Sequence, residues 1–165
     1  MRAKGGKLII PAFSVGRTQE ILYLLNRLET ENRLPDISYY VDSPLSVEAT
    51  AIMKAHPDCF NEQVQQLLQK DDDVFSFKGL RYVESVDESI ALTTSEEPCV
   101  IISASGMAES GRVKHHIAAN IQNERCAVLL VGYCEANSLG GQLHNGAQHV
   151  TIFGDGYDVR ATVYE

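Results

Sequence analysis

Val100-Ile-Ile-Ser-Ala-Ser-Gly-Met-Ala-Glu-Ser-Gly-Arg112 decides how this chain is read. Val100, Ile101 and Ile102, following Cys99, form an apolar run that reads as a buried strand. Small residues interrupt it, and a helical pattern then restarts with Val113, Ile117 and Ile121 on one face. A strand ending in Ser103, Ser105 and Gly106 just before a helix sets hydroxyls and free backbone N–H groups at that helix's positive end. This suits an anion, phosphate above all. Small residues also serve any strand-to-helix turn for its geometry alone, and both uses stand open at this point.

Upstream, Leu8-Ile-Ile-Pro-Ala-Phe13 repeats the construction. It runs into Ser14-Val15-Gly16-Arg17 and then a helix with Ile21, Leu22, Leu25 and Leu28 on one face. In α/β sheets such turns gather at the carboxyl ends of the strands, where ligands sit. Two Ser/Gly turns, each followed by an arginine, make a cradle for a polyanionic backbone.

The intervening chain alternates strand and helix signals. Ile37 to Val41 reads as a strand, with Asp42 or Ser43 capping the next helix and Pro44 in its first turn. His56-Pro57 stops that helix, and Phe60, Val64, Leu67 and Leu68 mark another. Lys70-Asp-Asp-Asp73 reads as a solvated turn, and Val74 to Tyr82 alternates loosely as a short strand or extended excursion. Ser85-Val-Asp-Glu88 has the form of a capping box. Cys126 to Val131 is a further buried strand, Ser138 to Leu143 a short helix. Val150, Ile152 and Phe153, then Val159, Ala161 and Val163, flank Gly154-Asp-Gly156 as a hairpin. The predicted fold class is α/β: a mainly parallel sheet with helices on both faces, Rossmann-like, with an antiparallel edge hairpin.

The 165 residues suit one domain, and 44% hydrophobic against 22% charged residues excludes a disordered chain. No apolar run reaches the ~20 residues of a membrane span, and no signal-peptide pattern opens the chain, so no membrane partner and a cytoplasmic location are expected. A formal net charge of −8 argues against generic charge-driven nucleic-acid binding. Any polyanion site must then be local, with its cations focused in a cleft. Cys59, Cys99, Cys126 and Cys134 are scattered, and read as free thiols rather than a disulfide framework. The five histidines form no H-x-H or H-E-x-x-H. His115 and His116 point to nearly opposite sides of their helix, so neither a metal site nor a metal-bound catalytic group is expected here. Ser103-Ala-Ser105-Gly106 is not the G-x-S-x-G elbow, and no G-x-G-x-x-G follows the first strand.

Four stretches carry a resemblance: Pro11-Ala-Phe-Ser-Val-Gly-Arg-Thr-Gln-Glu20, Val41-Asp-Ser-Pro-Leu45, Ile102-Ser-Ala-Ser-Gly-Met-Ala-Glu-Ser-Gly-Arg112 and Val131-Gly-Tyr-Cys-Glu-Ala-Asn-Ser-Leu-Gly140. In type and order they resemble the β-CASP family, the RNA- and DNA-processing members of the metallo-β-lactamase superfamily. The resemblance runs over nearly the whole chain. It implies that residues 1–165 are the β-CASP domain, inserted as a cap into a metallo-β-lactamase domain, with nucleic acid threading the cleft between them. It also implies that the ligands of two zinc ions, including an H-x-H-x-D-H run, belong to the other domain, and that the family's first acidic motif precedes Lys7. A Ser-Ala-His-x-Asp histidine is expected to follow Glu165. The abrupt Met1-Arg-Ala-Lys-Gly-Gly opening, and an ending inside a strand pattern at Tyr164-Glu165, fit the expectation of an excised piece. The family's usual Thr-Leu-Gly-Arg stands here as Ser138-Leu-Gly-Gly141, so Gly141 replaces the arginine of a phosphate contact.

The expected function is a nucleic-acid-clamping domain of a zinc-dependent ribonuclease, inert alone and without a cofactor of its own. RNA is the expected partner, with DNA as the variant, and a homo-oligomer is compatible. Ser14, Gly16, Arg17, Asp42, Ser105, Gly106 and Arg112 are the candidate phosphate-binding residues. The serines could equally be helix caps, the glycines turn formers and the arginines partners of internal acids: Arg17 with Asp42 or Glu20, Arg112 with Glu109. Asp42 is divided between capping and orienting a cleft arginine. A stand-alone nucleotide- or phosphometabolite-binding domain and an oligomerisation module are the alternatives.

Overall fold

The computed structural model describes residues 5–165, and the Met1–Lys4 part of the abrupt opening lies outside them. Ile101 and Ile102 are fully buried in strand β4 (Cys99–Ser103), every residue of which is out of solvent. A central parallel strand covered on both faces has this character. On one side β4 pairs with β1 (Leu8–Pro11), on the other with β2 (Ser38–Asp42). β3 (Leu80–Tyr82) lies beyond β2, while β5 (Ala127–Leu129) and then β8 (Thr162–Tyr164) lie beyond β1. Every pairing in this sheet is parallel, in the order β3-β2-β4-β1-β5-β8.

Alternation along the strands loads both faces. Ile10 and Ile102 face α1 (Arg17–Thr30), packing with Ile21 and Leu22 and with Val74, Phe75 and Phe77. Ile9 and Val128 face the other way, against Val113 and Ile117 of α5 (Arg112–Asn120). Ile101 packs with Val83 and with Leu92 of α4 (Val86–Thr94). Each fully buried aliphatic side chain contributes about 1.5–3 kcal/mol. Helices on both faces are therefore held by single-residue alternation in β1 and β4. Beside α1 the covering is incomplete: Leu8, Ile10 and Leu129 of the sheet, Val131 just after β5, and Leu24 and Leu28 of the helix line an open apolar groove of about 540 Å³.

Local signals set most element ends. Ser43 caps α2 (Pro44–Ala55) by accepting from the Ser46 amide, with Pro44 at the first helical position. Asn61 caps α3 (Glu62–Leu68), and Ser85 and Glu88 form the expected capping box of α4. The 74–82 stretch is a strand only at Leu80–Tyr82; Val74, Phe75 and Phe77 instead plug the core. The preceding aspartates are not simply a solvated turn. Asp71 accepts from Asn26 of α1 at 2.8 Å and Asp73 pairs with Lys54 of α2 at 2.6 Å, so they anchor that plug to two helices.

The hairpin forms from β6 (His149–Ile152) and β7 (Asp155–Asp158), as a two-stranded ribbon apart from the six-stranded sheet. Ile152 faces Asp155 across a two-residue loop, Phe153-Gly154, whose φ angles are 56° and 92°. Positive φ at both positions is the type I′ turn that matches strand twist. The turn falls ahead of Asp155 rather than around it, so the second leg is Asp155–Asp158 and Val163 belongs instead to β8. Glycine tolerates this backbone at no cost, whereas phenylalanine pays about 1–2 kcal/mol for it. The ribbon packs along α5. At its base Arg160 and Ala161 donate to the Ile121 carbonyl after the helix's last turn, and at its tip Phe153 meets His115 in the first turn.

Candidate functional site

Because β2, β4 and β1 are neighbours and parallel, the turns that leave them emerge side by side. That is the edge where open α/β sheets bind ligands. Ser103 Oγ donates to the Asp42 carbonyl at 2.7 Å, tying the end of β4 to the end of β2. The Ser14 and Ser43 hydroxyls are 3.2 Å apart, tying the β1 turn to the start of α2. The Gly140 amide donates to the Met107 carbonyl, and the Leu139 amide to the Glu109 carboxylate, so α6 (Leu139–His144) is docked on the 104–111 loop. All four stretches singled out in the sequence thus meet on one edge.

Beneath that edge Asp42 is 0% exposed, and its carboxylate is fully engaged. One oxygen accepts from Arg112 Nη1 at 2.7 Å; the other accepts from Ser89 Oγ at 2.5 Å and meets His116 Nε2 at 2.6 Å. His116 Nδ1 lies 2.9 Å from Thr93 Oγ1. The Thr93 hydroxyl also lies 2.8 Å from the Ser89 carbonyl. Burial pushes Asp42 upward, but hydrogen bonds from His116, Ser89 and Arg112, and electrostatic attraction from the His116 ring, outweigh it and hold the carboxyl below its ordinary value.

The sequence-derived candidates fall into three groups. Arg17 lies in the first turn of α1, exposed, and its local partner is Glu20 at 2.5 Å rather than Asp42. Arg112 pairs with Asp42, not Glu109; it also donates to the Val83 and Glu84 carbonyls, and its side chain keeps 20% exposure. Asp42 therefore orients an arginine, and Ser43 does the capping. Ser14 faces Ser43 as above, whereas the Ser105 hydroxyl is spent on a turn with Ser110. Gly16 caps α1 at φ 89° with open space around it. Gly106 lies beneath the Phe13 ring, where an added Cβ would come within 2.9 Å of that ring. Here the glycine is required by close approach.

Ser89, Thr93, His116 and Lys7 were not among the candidates. Lys7 is buried and donates from Nζ to the Leu92 and Thr93 carbonyls at 2.8 and 2.9 Å, closing the C-terminus of α4, the helix that supplies Ser89 and Thr93. Burial lowers its pKa, opposed by Cys99 and Cys126. The available signal was His116 sharing a helix face with Val113 and Ile117, since a buried imidazole requires polar partners.

Among the described residues no three His, Cys, Asp or Glu side chains converge as metal ligands. The Asp42 and His116 atoms that could coordinate are committed to one another, Arg112, Ser89 and Thr93, so these residues do not fit a zinc site. All four cysteines are free thiols. A cavity of about 740 Å³ lies elsewhere, between the later turns of α1 and the Asp71–Phe77 plug.

Comparison with known proteins adds a family model described as the Beta-Casp domain, which matches residues 18–143. Ribonuclease TTHA0252 of Thermus thermophilus is 34% identical over 162 residues, which are 98% of this chain and 37% of that protein. An RNase J-like protein of Methanocaldococcus jannaschii is 30% identical over 96% of this chain and 36% of its own length. Transcription termination factor FttA of Methanosarcina mazei is 30% identical over 92% of this chain. The chain spans 37% or less of the length of these curated relatives.

Proposed function

This chain belongs to the Beta-Casp family, and from that membership we propose that it is the nucleic-acid-clamping domain of a zinc-dependent ribonuclease that hydrolyses RNA phosphodiester bonds. The zinc ions, the attacking hydroxide they supply and the residues that bind them belong to a metallo-β-lactamase domain outside this chain. RNA lies in the cleft between the two. The observation that carries this reading is the meeting of the β1, β2 and β4 turns on one edge, with the exposed Arg17 at one of them and Arg112, fixed by the buried Asp42, at another. Arginines focused on one edge attract an anion without the chain being basic overall. The ribonuclease named among the relatives supports RNA as that anion.

Within the clamp the two arginines do different work. Arg17 is exposed, and its ion pair with Glu20 is of the kind that contributes little to stability. It is free to exchange that carboxylate for a phosphate. Arg112 is held by three acceptors and acts mainly by fixing the start of α5 and contributing charge. In the full-length protein, Arg17→Ala is expected to weaken single-stranded RNA binding by roughly 1–3 kcal/mol. It should also flatten the dependence of log affinity on log salt by about 0.7, the loss of one phosphate contact. Its melting temperature should stay near wild type, while that of Arg112→Ala falls by several degrees. Fluorescence anisotropy across a salt series, with thermal melts of both variants, measures all three quantities. An Arg17→Ala variant with unchanged affinity and salt slope would sink the assignment of that residue, and wild-type protein that ignores RNA but is stabilised by a mononucleotide would sink the clamp.

A further inference from the structure

The hairpin is long enough to run the length of α5, and what it delivers to the far end is an aromatic ring. Its base is bonded to the Ile121 carbonyl at the end of α5, and its tip reaches His115 in the first turn, on the edge where the 104–111 loop and Arg112 lie. Phe153 at that tip is 54% exposed and adopts φ 56°. A bulky side chain in the left-handed region that gains little burial is unfavourable on both counts. Asparagine or glycine is the ordinary choice at this turn position.

The ring is also furnished with partners. The His115 ring lies 4.5 Å away, centroid to centroid, inclined by 30°, and the Lys114 ammonium is 5.2 Å from the Phe153 centroid. Lys114 donates to the Glu109 carbonyl, and it has no carboxylate partner among the described residues. An exposed aromatic face beside an unpaired ammonium and an imidazole matches one ligand chemistry well: a planar base carried on an anionic backbone.

We infer that Phe153, with His115 and Lys114, is a stacking contact for a nucleobase of single-stranded RNA at the rim of the clamp. It rests on the clamp reading above and adds to it a contact with the base, where the turns contact only phosphate. The base lies on the exposed part of the Phe153 ring, and Lys114 moves from the ring to the adjoining phosphate. Stacking of this kind tolerates any sequence, because every base presents a π face.

The test uses the full-length protein, an RNA oligonucleotide and the same strand carrying abasic spacers. Phe153→Asn places Asn-Gly in the type I′ turn, so its melting temperature should equal or exceed that of wild type, yet its RNA affinity should fall about tenfold. Phe153→Tyr should bind as wild type does. Wild type should lose affinity for the abasic strand, and Phe153→Asn should bind both strands alike. If wild type binds RNA tightly and Phe153→Asn binds it equally well, the stacking inference fails and the clamp stands. Wild type that binds neither strand overturns both. Affinity lost only in parallel with conversion of an oligomer to a monomer would make Phe153 a contact between copies and overturn the inference as well.

Discussion

Asp42→Ala is expected to destabilise this domain by about 3–5 kcal/mol, because it breaks a largely buried ion pair with Arg112 and leaves the buried His116 and Ser89 without their acceptor. Arg112 and His116 each give Asp42 a hydrogen bond, at 2.7 and 2.6 Å, and Ser89 adds a third. Alanine removes every one of these acceptors while the donors remain in place. For a chain of this size the melting temperature should drop by roughly 10 °C. The effect has a pH signature. The folded pKa of Asp42 is depressed, so its stabilisation is fully present above the unfolded value of about 4 and is lost as pH falls through the folded value. Asp42→Asn keeps the shape but no longer titrates, so its stability should change less steeply on the acid side than that of wild type. Melts from pH 7 down to pH 3 on both variants measure this. Wild-type stability in Asp42→Ala would mean that the network contributes nothing to holding the turns together.

Gly111→Ala is the second large effect. Gly111 has φ 76° and ψ −173°, a region essentially closed to residues with a Cβ, and the added methyl would collide with the Ala104 carbonyl. Strain of about 1–3 kcal/mol combines with overpacking of about 1–3 kcal/mol. The damage falls where Ser105 and Ser110 close the loop and α5 begins, so RNA affinity should fall together with stability. Gly16→Ala is the comparison. Its φ is equally positive, at 89°, but nothing lies within 4 Å of the added atom, so only backbone strain remains. Melting both variants side by side separates collision from strain. Equal losses would show that the approach of Ala104 to Gly111 is not rigid.

The elements legible in the sequence are those set by local rules. Val100 to Ile102 had to be buried because three adjacent apolar residues have no polar side to offer solvent. Val113, Ile117 and Ile121 declared their helix by spacing, and Ser85 with Glu88 marked a helix start. Arg17 also found its partner three residues away, in Glu20. The same rule applied to Arg112 pointed to Glu109 and failed, because Arg112 stands at the first position of α5 and reaches back to the end of β2. Asp42 draws Ser89 from α4 and Arg112 and His116 from α5. Only the order in which the strands are laid down brings those helices together, and no spacing along the chain encodes it. In the sequence Phe153 reads as one more apolar member of an alternating strand. Its place in the turn depended on which residues took positive φ, and Gly154-Asp-Gly156 offered more than one solution.

The position of β4 between β1 and β2 also has a consequence for how the domain is made. β1 and β2 do not touch each other; each pairs with β4, which is synthesised after both. During translation two apolar parallel strands therefore emerge with their inner edges open, and open edges are templates for wrong pairing. They are closed together, by a single insertion, once Ser103 has left the ribosome. Until then β2 can pair only with β3, and β1 has no partner strand at all, since both of its neighbours, β4 and β5, come later in the chain.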